Sequence, residues 1–199
     1  MFNTQNTDDV TENPSENDTD FQRDVLRARL LAAREVMADR AVHERELVAR
    51  VGRWLRTMPV TRLAFFWPIR GEPDLTAMIG QWLNEDPQRR AGLPVVVGDL
   101  LEFAPWAPGV AMQPGAHGIP VPARNARMSP QLLLIPCVAI DSLRYRLGYG
   151  GGYYDRTLAA LKPRPVTVGV AFDDARVNTI APKPHDIRLD LAITQSGVL

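Results

Sequence analysis

The sequence predicts a single-domain, three-layer α/β/α fold with a mostly parallel sheet and helices on both faces. Three observations lead there. Short runs rich in Val, Ile, Leu and Phe recur along the chain, segments with helical spacing separate them, and neither an internal repeat nor an interdomain linker interrupts the pattern. Strands that alternate with helices place their crossovers over both faces of one sheet, so each strand is apolar on both sides.

Residues 1–19 are polar and acidic, without Lys or Arg. They cannot bury enough apolar surface to offset the loss of chain entropy, and a disordered acidic tail is expected ahead of a domain over residues 20–199. Residues 21–58 are rich in Ala, Leu, Arg and Glu. Val25, Leu26, Leu30 and Met37 can share one helical stripe, which Leu47, Val51, Trp54 and Leu55 continue. Two helices are expected, or one helix broken between Asp39 and His43. His43 reads as a solvated helix residue.

The period then changes. "RLAFFWP" (62–68) is apolar, aromatic and stopped by proline, the pattern of a buried strand. "DLTAMIGQWLNE" (74–85) reads as a helix with Asp74 as its N-cap. "LPVVV" (93–97) is a strand and "LEFAPW" (101–106) an edge strand. Residues 105–130, dense in Pro and Gly, predict irregular loop. "LLLIPCVAI" (132–140) is the strongest buried strand. "YYDRTLAALK" (153–162) is a helix stopped by the following prolines, "VTVGVAF" (166–172) a strand, and "LDLAIT" (189–194) the last strand.

Composition narrows the function classes. The 23 basic and 23 acidic residues give zero formal charge, which argues against a general nucleic-acid binder. A local basic pocket for a small anion remains open to it. Cys137 is the only cysteine, so no disulfide forms within the chain, which fits a reducing compartment. No run approaches a membrane span, and no basic region followed by an apolar one opens the chain. The expectation is a cytoplasmic monomer that acts on a small molecule, with no nucleic-acid or membrane partner.

The segment "RLGYGGGYYDR" (146–156) carries the chemistry. It lies between an apolar strand and a predicted helix, where open α/β sheets gather ligands. Glycines let the backbone approach a bound group, and the helix start supplies free N–H groups and partial positive charge. Together these make a phosphate cradle. Arg146 and Arg156 can add forked hydrogen bonds, and Asp155 can hold magnesium between phosphates. Neither the Walker loop nor the dinucleotide fingerprint fits, because Tyr153 and Tyr154 stand where those motifs need other residues. Two other readings stay open: a tight strand-to-helix turn with packed tyrosines, and a Gly/Tyr stacking platform for RNA.

The stretch "LLLIPCVAIDSLRYRLGYGGGYYDR" resembles the signature of the 5-formyltetrahydrofolate cyclo-ligases. "RDVLRARLLAAR", "FFWPIRGEPDL", "GAHGIPVP", "VGVAF", "PHDIRLD" and "AIT" resemble further segments of that family in the same order. The resemblance implies an ATP- and Mg2+-dependent ligase that converts 5-formyltetrahydrofolate to 5,10-methenyltetrahydrofolate, ADP and phosphate. It assigns Arg23, Arg27, Arg146, Gly148, Tyr149, Gly150, Gly151, Gly152, Tyr153 and Tyr154 to ATP. It assigns Trp67, Glu72 and Tyr153 to the reduced folate, and Asp155 and Asp186 to the metal. Arg146, Tyr153 and Asp155 are its catalytic residues.

Trp67 also reads as a core aromatic, and Arg23 and Arg27 as a solvated helix face. His117 and His185 read as loop residues, and Cys137 as buried packing. Some relatives have basic residues where this chain has Tyr149 and Gly151, and many have Lys at Arg23. Val121 and Ala175 stand where an acidic residue and glutamine are common. A family paralogue with another substrate, or none, is the alternative within the resemblance.

Overall fold

The computed structural model describes residues 16–123 and 126–199. Two helices open it, α1 (Glu16–Glu35) and α2 (Arg40–Arg56). Residues 16–19, assigned from sequence to the acidic tail, are therefore helical, and residues 1–15 of that tail lie outside the described residues. The helices part at Asp39, whose φ of 50° is left-handed, at the leading edge of the predicted break. A short polar side chain tolerates that conformation better than a bulky one.

The remaining elements follow as β1 (Arg62–Ala64), α3 (Thr76–Asn84), β2 (Arg90–Val97), β3 (Leu100–Trp106), β4 (Met112–Pro114) and β5 (Pro120–Pro122). Next come β6 (Leu132–Pro136), β7 (Ala139–Asp141), β8 (Arg146–Leu147), α4 (Tyr153–Ala160), β9 (Val166–Val170), β10 (Arg176–Val177) and β11 (Leu191–Ile193). The main sheet has the order β11-β9-β6-β1-β2-β3. Its neighbours are parallel except β3, which pairs antiparallel with β2 at the edge, as expected for residues 101–106. Asp74 Oδ1 accepts the Thr76 N–H at 2.8 Å, so it caps α3 from one position before the helix boundary.

Alternation along the strands sorts side chains between two cores. Leu63, Phe65, Leu132, Leu134, Val168 and Val170 face α2 and α3, which supply Leu47, Val51, Leu55, Ile79 and Trp82. Ala64, Leu133 and Ile135 face the opposite way, toward Leu158 of α4 and toward Leu101 and Phe103 of β3. The helices thus cover both faces of the sheet. α1 stands apart from it and packs Leu30 against Val138, Ala139 and Leu147 around a small second sheet, β10-β7-β8.

Three expectations need correction. The run 132–140 is two strands, because Pro136 cannot donate to a ladder and ends β6. The Cys137 N–H still reaches the Val170 carbonyl at 3.2 Å, and the Val138 N–H reaches the Leu147 carbonyl at 2.9 Å, which carries the chain from one sheet to the other. The region 105–130 contains an ordered hairpin, β4 with β5, around a 3₁₀ turn at Ala116–Gly118. Val25 is exposed, because it lies off the narrow stripe by which α1 packs Leu26, Leu30 and Leu31 onto the small sheet.

Leu134 is fully enclosed between the main sheet and the α2–α3 layer. Leu134→Ala is expected to lower unfolding free energy by about 3 kcal/mol, the cost of lost transfer energy plus a cavity. Urea denaturation measures it, and an unchanged midpoint would contradict this packing.

Candidate active site

The glycine loop runs from the end of β8 to the start of α4. Gly150 and Gly152 have φ of 97° and 65°, the left-handed region where a side chain is strained. At Gly152 a Cβ would also approach Arg156 Nη1 to 2.6 Å. Gly152 is the N-cap of α4 and offers no side chain to its first N–H groups. Those donors, and the positive end of the helix, therefore lie open at the loop.

Cations line the loop from two sides. Arg27 reaches across from α1, and its Nε donates to the Gly148 carbonyl at 2.8 Å. Arg27 also pairs with Asp24, one turn earlier. The buried Arg146 places Nη2 at 2.9 Å from Asp155 Oδ1, and its Nη1 donates to the Ile187 carbonyl at 2.9 Å. The Ile187 N–H returns a bond to Asp155 Oδ1 at 2.8 Å. Arg23 Nη1 lies 2.6 Å from Asp186 Oδ2 and also donates to the Ala181 carbonyl at 3.0 Å. Asp186 Oδ2 accepts the Lys183 N–H at 2.7 Å as well. The segment 181–187 thus sits between α1 and α4, and it gathers Arg23, Arg146, Asp155 and Asp186 beside Arg27 and the glycines.

A second cluster adjoins the first. Glu72 is buried after a turn in which Arg70 and Gly71 both have positive φ, 45° and 71°. Its Oε2 accepts the Ile69 N–H at 3.0 Å and its Oε1 accepts the Tyr149 hydroxyl at 2.8 Å. Burial pushes the Glu72 carboxyl above its ordinary range; the Ile69 N–H, the Tyr149 hydroxyl and the Arg34 charge oppose that push. Arg34 Nη1 donates to the Tyr149 oxygen at 3.3 Å and its Nη2 to the Cys137 carbonyl at 2.8 Å. Burial and the Glu72 charge hold the Tyr149 phenol protonated. Arg40 donates to the carbonyls of Gly71 and Glu72 at 2.8 and 3.1 Å, fixing the turn.

Tyr149, expected with the nucleotide, thus faces Glu72, with Arg70 5.6 Å from its ring centre. Tyr154 packs with the core beneath the loop, where burial raises its phenol, and Arg146 lies 5.7 Å from its ring. Tyr153 stands at the rim, its hydroxyl 3.5 Å from His117 Nε2 and Arg156 5.1 Å from its ring centre. Trp67 is half-buried against the main core. His185 is exposed next to Asp186. The sequence reading missed Arg34 and Arg40. The signal for Arg34 was present: it falls at i+4 from Leu30 and i−3 from Met37, inside the apolar stripe of α1.

No group of three or more His, Cys, Asp or Glu side chains forms a metal site among the described residues. Magnesium commonly takes one or two carboxylates and completes its shell with substrate phosphates and water. Asp155 fits that pattern, since the Ile187 N–H and Arg146 both meet its Oδ1. Asp186 turns both oxygens toward Arg23.

Cys137 is buried, and burial pushes its thiol up to about 12. Reaction needs the exposed thiolate. A thiol reagent at pH 8 is therefore expected to label the native protein at under about a hundredth of the rate in denaturant. Labelling of the folded protein at the rate of a free thiol would contradict the buried position.

The family model described as the 5-formyltetrahydrofolate cyclo-ligase family matches residues 20–195. A 5-formyltetrahydrofolate cyclo-ligase of Mycolicibacterium smegmatis is 30% identical over 181 residues, covering 85% of this chain and 91% of its own. The protein of that name from Escherichia coli K12 is 33% identical over 147 residues, covering 68% and 79%. The structure of Aquifex aeolicus 5,10-methenyltetrahydrofolate synthetase matches with a TM-score of 0.73 at 29% identity, over 88% of this chain and 91% of that one. A synthetase of Mycoplasma pneumoniae has the same fold, with a TM-score of 0.71 at 24% identity over 87% and 98%. No helix among the described residues is long and apolar enough to cross a membrane. With nearly the whole domain matched, from the first turn of arginines on α1 to the end of the last strand, the chain belongs to the 5-formyltetrahydrofolate cyclo-ligase family, a family of ligases.

Proposed function

We propose that this protein is a 5-formyltetrahydrofolate cyclo-ligase that uses ATP and magnesium to form 5,10-methenyltetrahydrofolate, releasing ADP and phosphate. The observation that carries the reading is the junction of two unlike clusters. A glycine loop with open N–H groups and three arginines adjoins a buried carboxylate, and Tyr149 belongs to both. A triphosphate suits the first cluster and the N–H edge of a reduced pterin suits the second.

The chemistry assigns work to each group. The oxygen of the N5-formyl amide is a poor leaving group. Transfer of the γ-phosphoryl group of ATP onto that oxygen breaks the bond to ADP and makes the formyl carbon electrophilic. The N10 lone pair then attacks this carbon and N10 loses its proton. The C–O bond breaks, phosphate departs, and the methenyl bridge remains.

Such transfer depends on alignment and on charge stabilisation more than on a protein nucleophile. Arg27 and the α4 N–H groups would hold the phosphates, with Arg23 and Arg146 adding positive charge at the transferring end. Asp155 would hold magnesium, which neutralises charge on the phosphates when bound. Glu72 would fix the pterin ring, and Tyr153 at the rim would lie between nucleotide and folate. Trp67 would line the folate side. Asp186 supports this arrangement through Arg23, and a direct share in the metal shell would require that pair to open.

The test is an assay of 5-formyltetrahydrofolate, ATP and magnesium, followed by the near-ultraviolet absorbance of the methenyl product. Product is expected only with all three present, in step with ADP. Folded protein that forms none would defeat the assignment. Asp155→Asn is expected to lower kcat at least about a hundredfold with the fold retained by circular dichroism. Wild-type turnover in that variant would remove Asp155 from the site.

A further inference from the structure

Arg34 is a buried cation that the proposed chemistry leaves without a role. It lies on α1 two turns beyond Arg27, and both arms of its guanidinium are taken up by protein oxygens. One arm is anchored on the Cys137 carbonyl, at the point where the chain passes between the two sheets. The other arm donates to the Tyr149 oxygen, and Tyr149 in turn donates to Glu72 Oε1. The direction of donation is fixed, because a guanidinium only donates and an ionised carboxylate only accepts. A buried charge without a direct partner is costly, so Arg34 and Glu72 compensate one another through the shared hydroxyl.

We propose that Arg34 and Tyr149 form a brace that holds the Glu72 carboxyl aimed at the N–H edge of the folate ring, making Arg34 a positioning residue for the substrate. The proposal rests on the cyclo-ligase reading above. It accounts for the presence of Tyr149 in a loop otherwise made of glycines. The ring crosses from the nucleotide side to the folate side, and the cation it relays comes from a helix whose earlier arginines face the loop.

The groups that surround Glu72 set the expected pH behaviour. Arg34 approaches from α1, Arg40 from α2, Arg70 from the same turn, Tyr149 from the loop, Tyr154 from α4 and Cys137 from the end of β6. Burial favours the protonated carboxyl, while Tyr149 and Arg34 favour the anion. Loss of either brace member therefore lets Glu72 take up its proton at a higher pH. The acid limb of kcat/KM for the folate would then move to higher pH.

The experiment compares wild type with Tyr149→Phe, Arg34→Met and Arg34→Lys. Tyr149→Phe and Arg34→Met are expected to raise the folate KM about tenfold, the usual effect of removing a hydrogen bond to a charged group. The KM for ATP is expected to stay within about twofold, and Arg34→Lys is expected to restore part of the loss. Carboxyl carbon NMR, with Glu72 assigned by Glu72→Gln, follows the Glu72 titration without substrate. Its midpoint is expected to rise in both brace variants.

A Glu72 midpoint that does not move in Tyr149→Phe overturns the brace, as does a folate KM that stays at the wild-type value. A wild-type protein that neither binds nor converts the folate overturns the cyclo-ligase reading and the positioning role with it. The NMR result then still reports whether the three side chains are coupled. Should Arg34→Met fail to fold, the conservative Tyr149→Phe decides the matter alone.

Discussion

The Arg146–Asp155 pair is the interaction on which the site depends. Arg146 opens β8 with its side chain almost wholly enclosed, and a buried guanidinium left without a partner would be strongly destabilising. Asp155 lies in the first turn of α4, so the pair joins the two ends of the glycine loop. The return bonds between Arg146, Ile187 and Asp155 bring in the segment before the last strand. A loop with four glycines has high conformational entropy when free. Clamped at both ends by a buried ion pair, it keeps one path, and the glycines contribute close approach without wandering.

The arginines around the loop differ in how readily they release their partners. Arg23 and Arg146 are committed to the partly buried carboxylates Asp186 and Asp155, where screening is weaker than at the open surface. Arg27 holds a carbonyl and the largely exposed Asp24, and an ion pair with an exposed partner contributes little. An incoming polyanion therefore displaces Asp24 at small cost. In the proposed reaction this would give the three cations distinct parts: Arg27 would meet the phosphates first, while Arg23 and Arg146 would supply a fixed field behind it.

Much of the fold was legible in local pattern. Apolar runs of strand length, helical stripes and proline stops located the main sheet, its edge strand and all four helices, because each depends on neighbours in sequence. The split of residues 132–140 was harder to see, since Pro136 lies within an apolar run and the two halves differ only in which sheet receives them. The hairpin at residues 112–122 was hidden by its own prolines and glycines. In the site, the motif pointed to the loop and Asp155, whereas Asp186 was named only through the resemblance of residues 184–190 to the family. The direction of Tyr149 was not legible, because it depends on Arg34 and Glu72, which lie 115 and 77 positions away in sequence.

Positions 149 and 151 of the loop are explained by its tyrosines. A Cβ on Gly151 would lie 2.9 Å from the Tyr153 ring, so any side chain there requires that ring to move. With glycine at 151, Tyr153 can rest against the loop and reach His117 at the hairpin turn. At 149 the phenol offers a hydroxyl that remains protonated, and so it donates to a carboxylate while accepting from a guanidinium. A cation in its place would pair with Glu72 directly and stand against Arg34. The tyrosine thus gives order on the Glu72 side of the loop, and under the proposed function the phosphate-facing charge would fall to the arginines of α1 and β8.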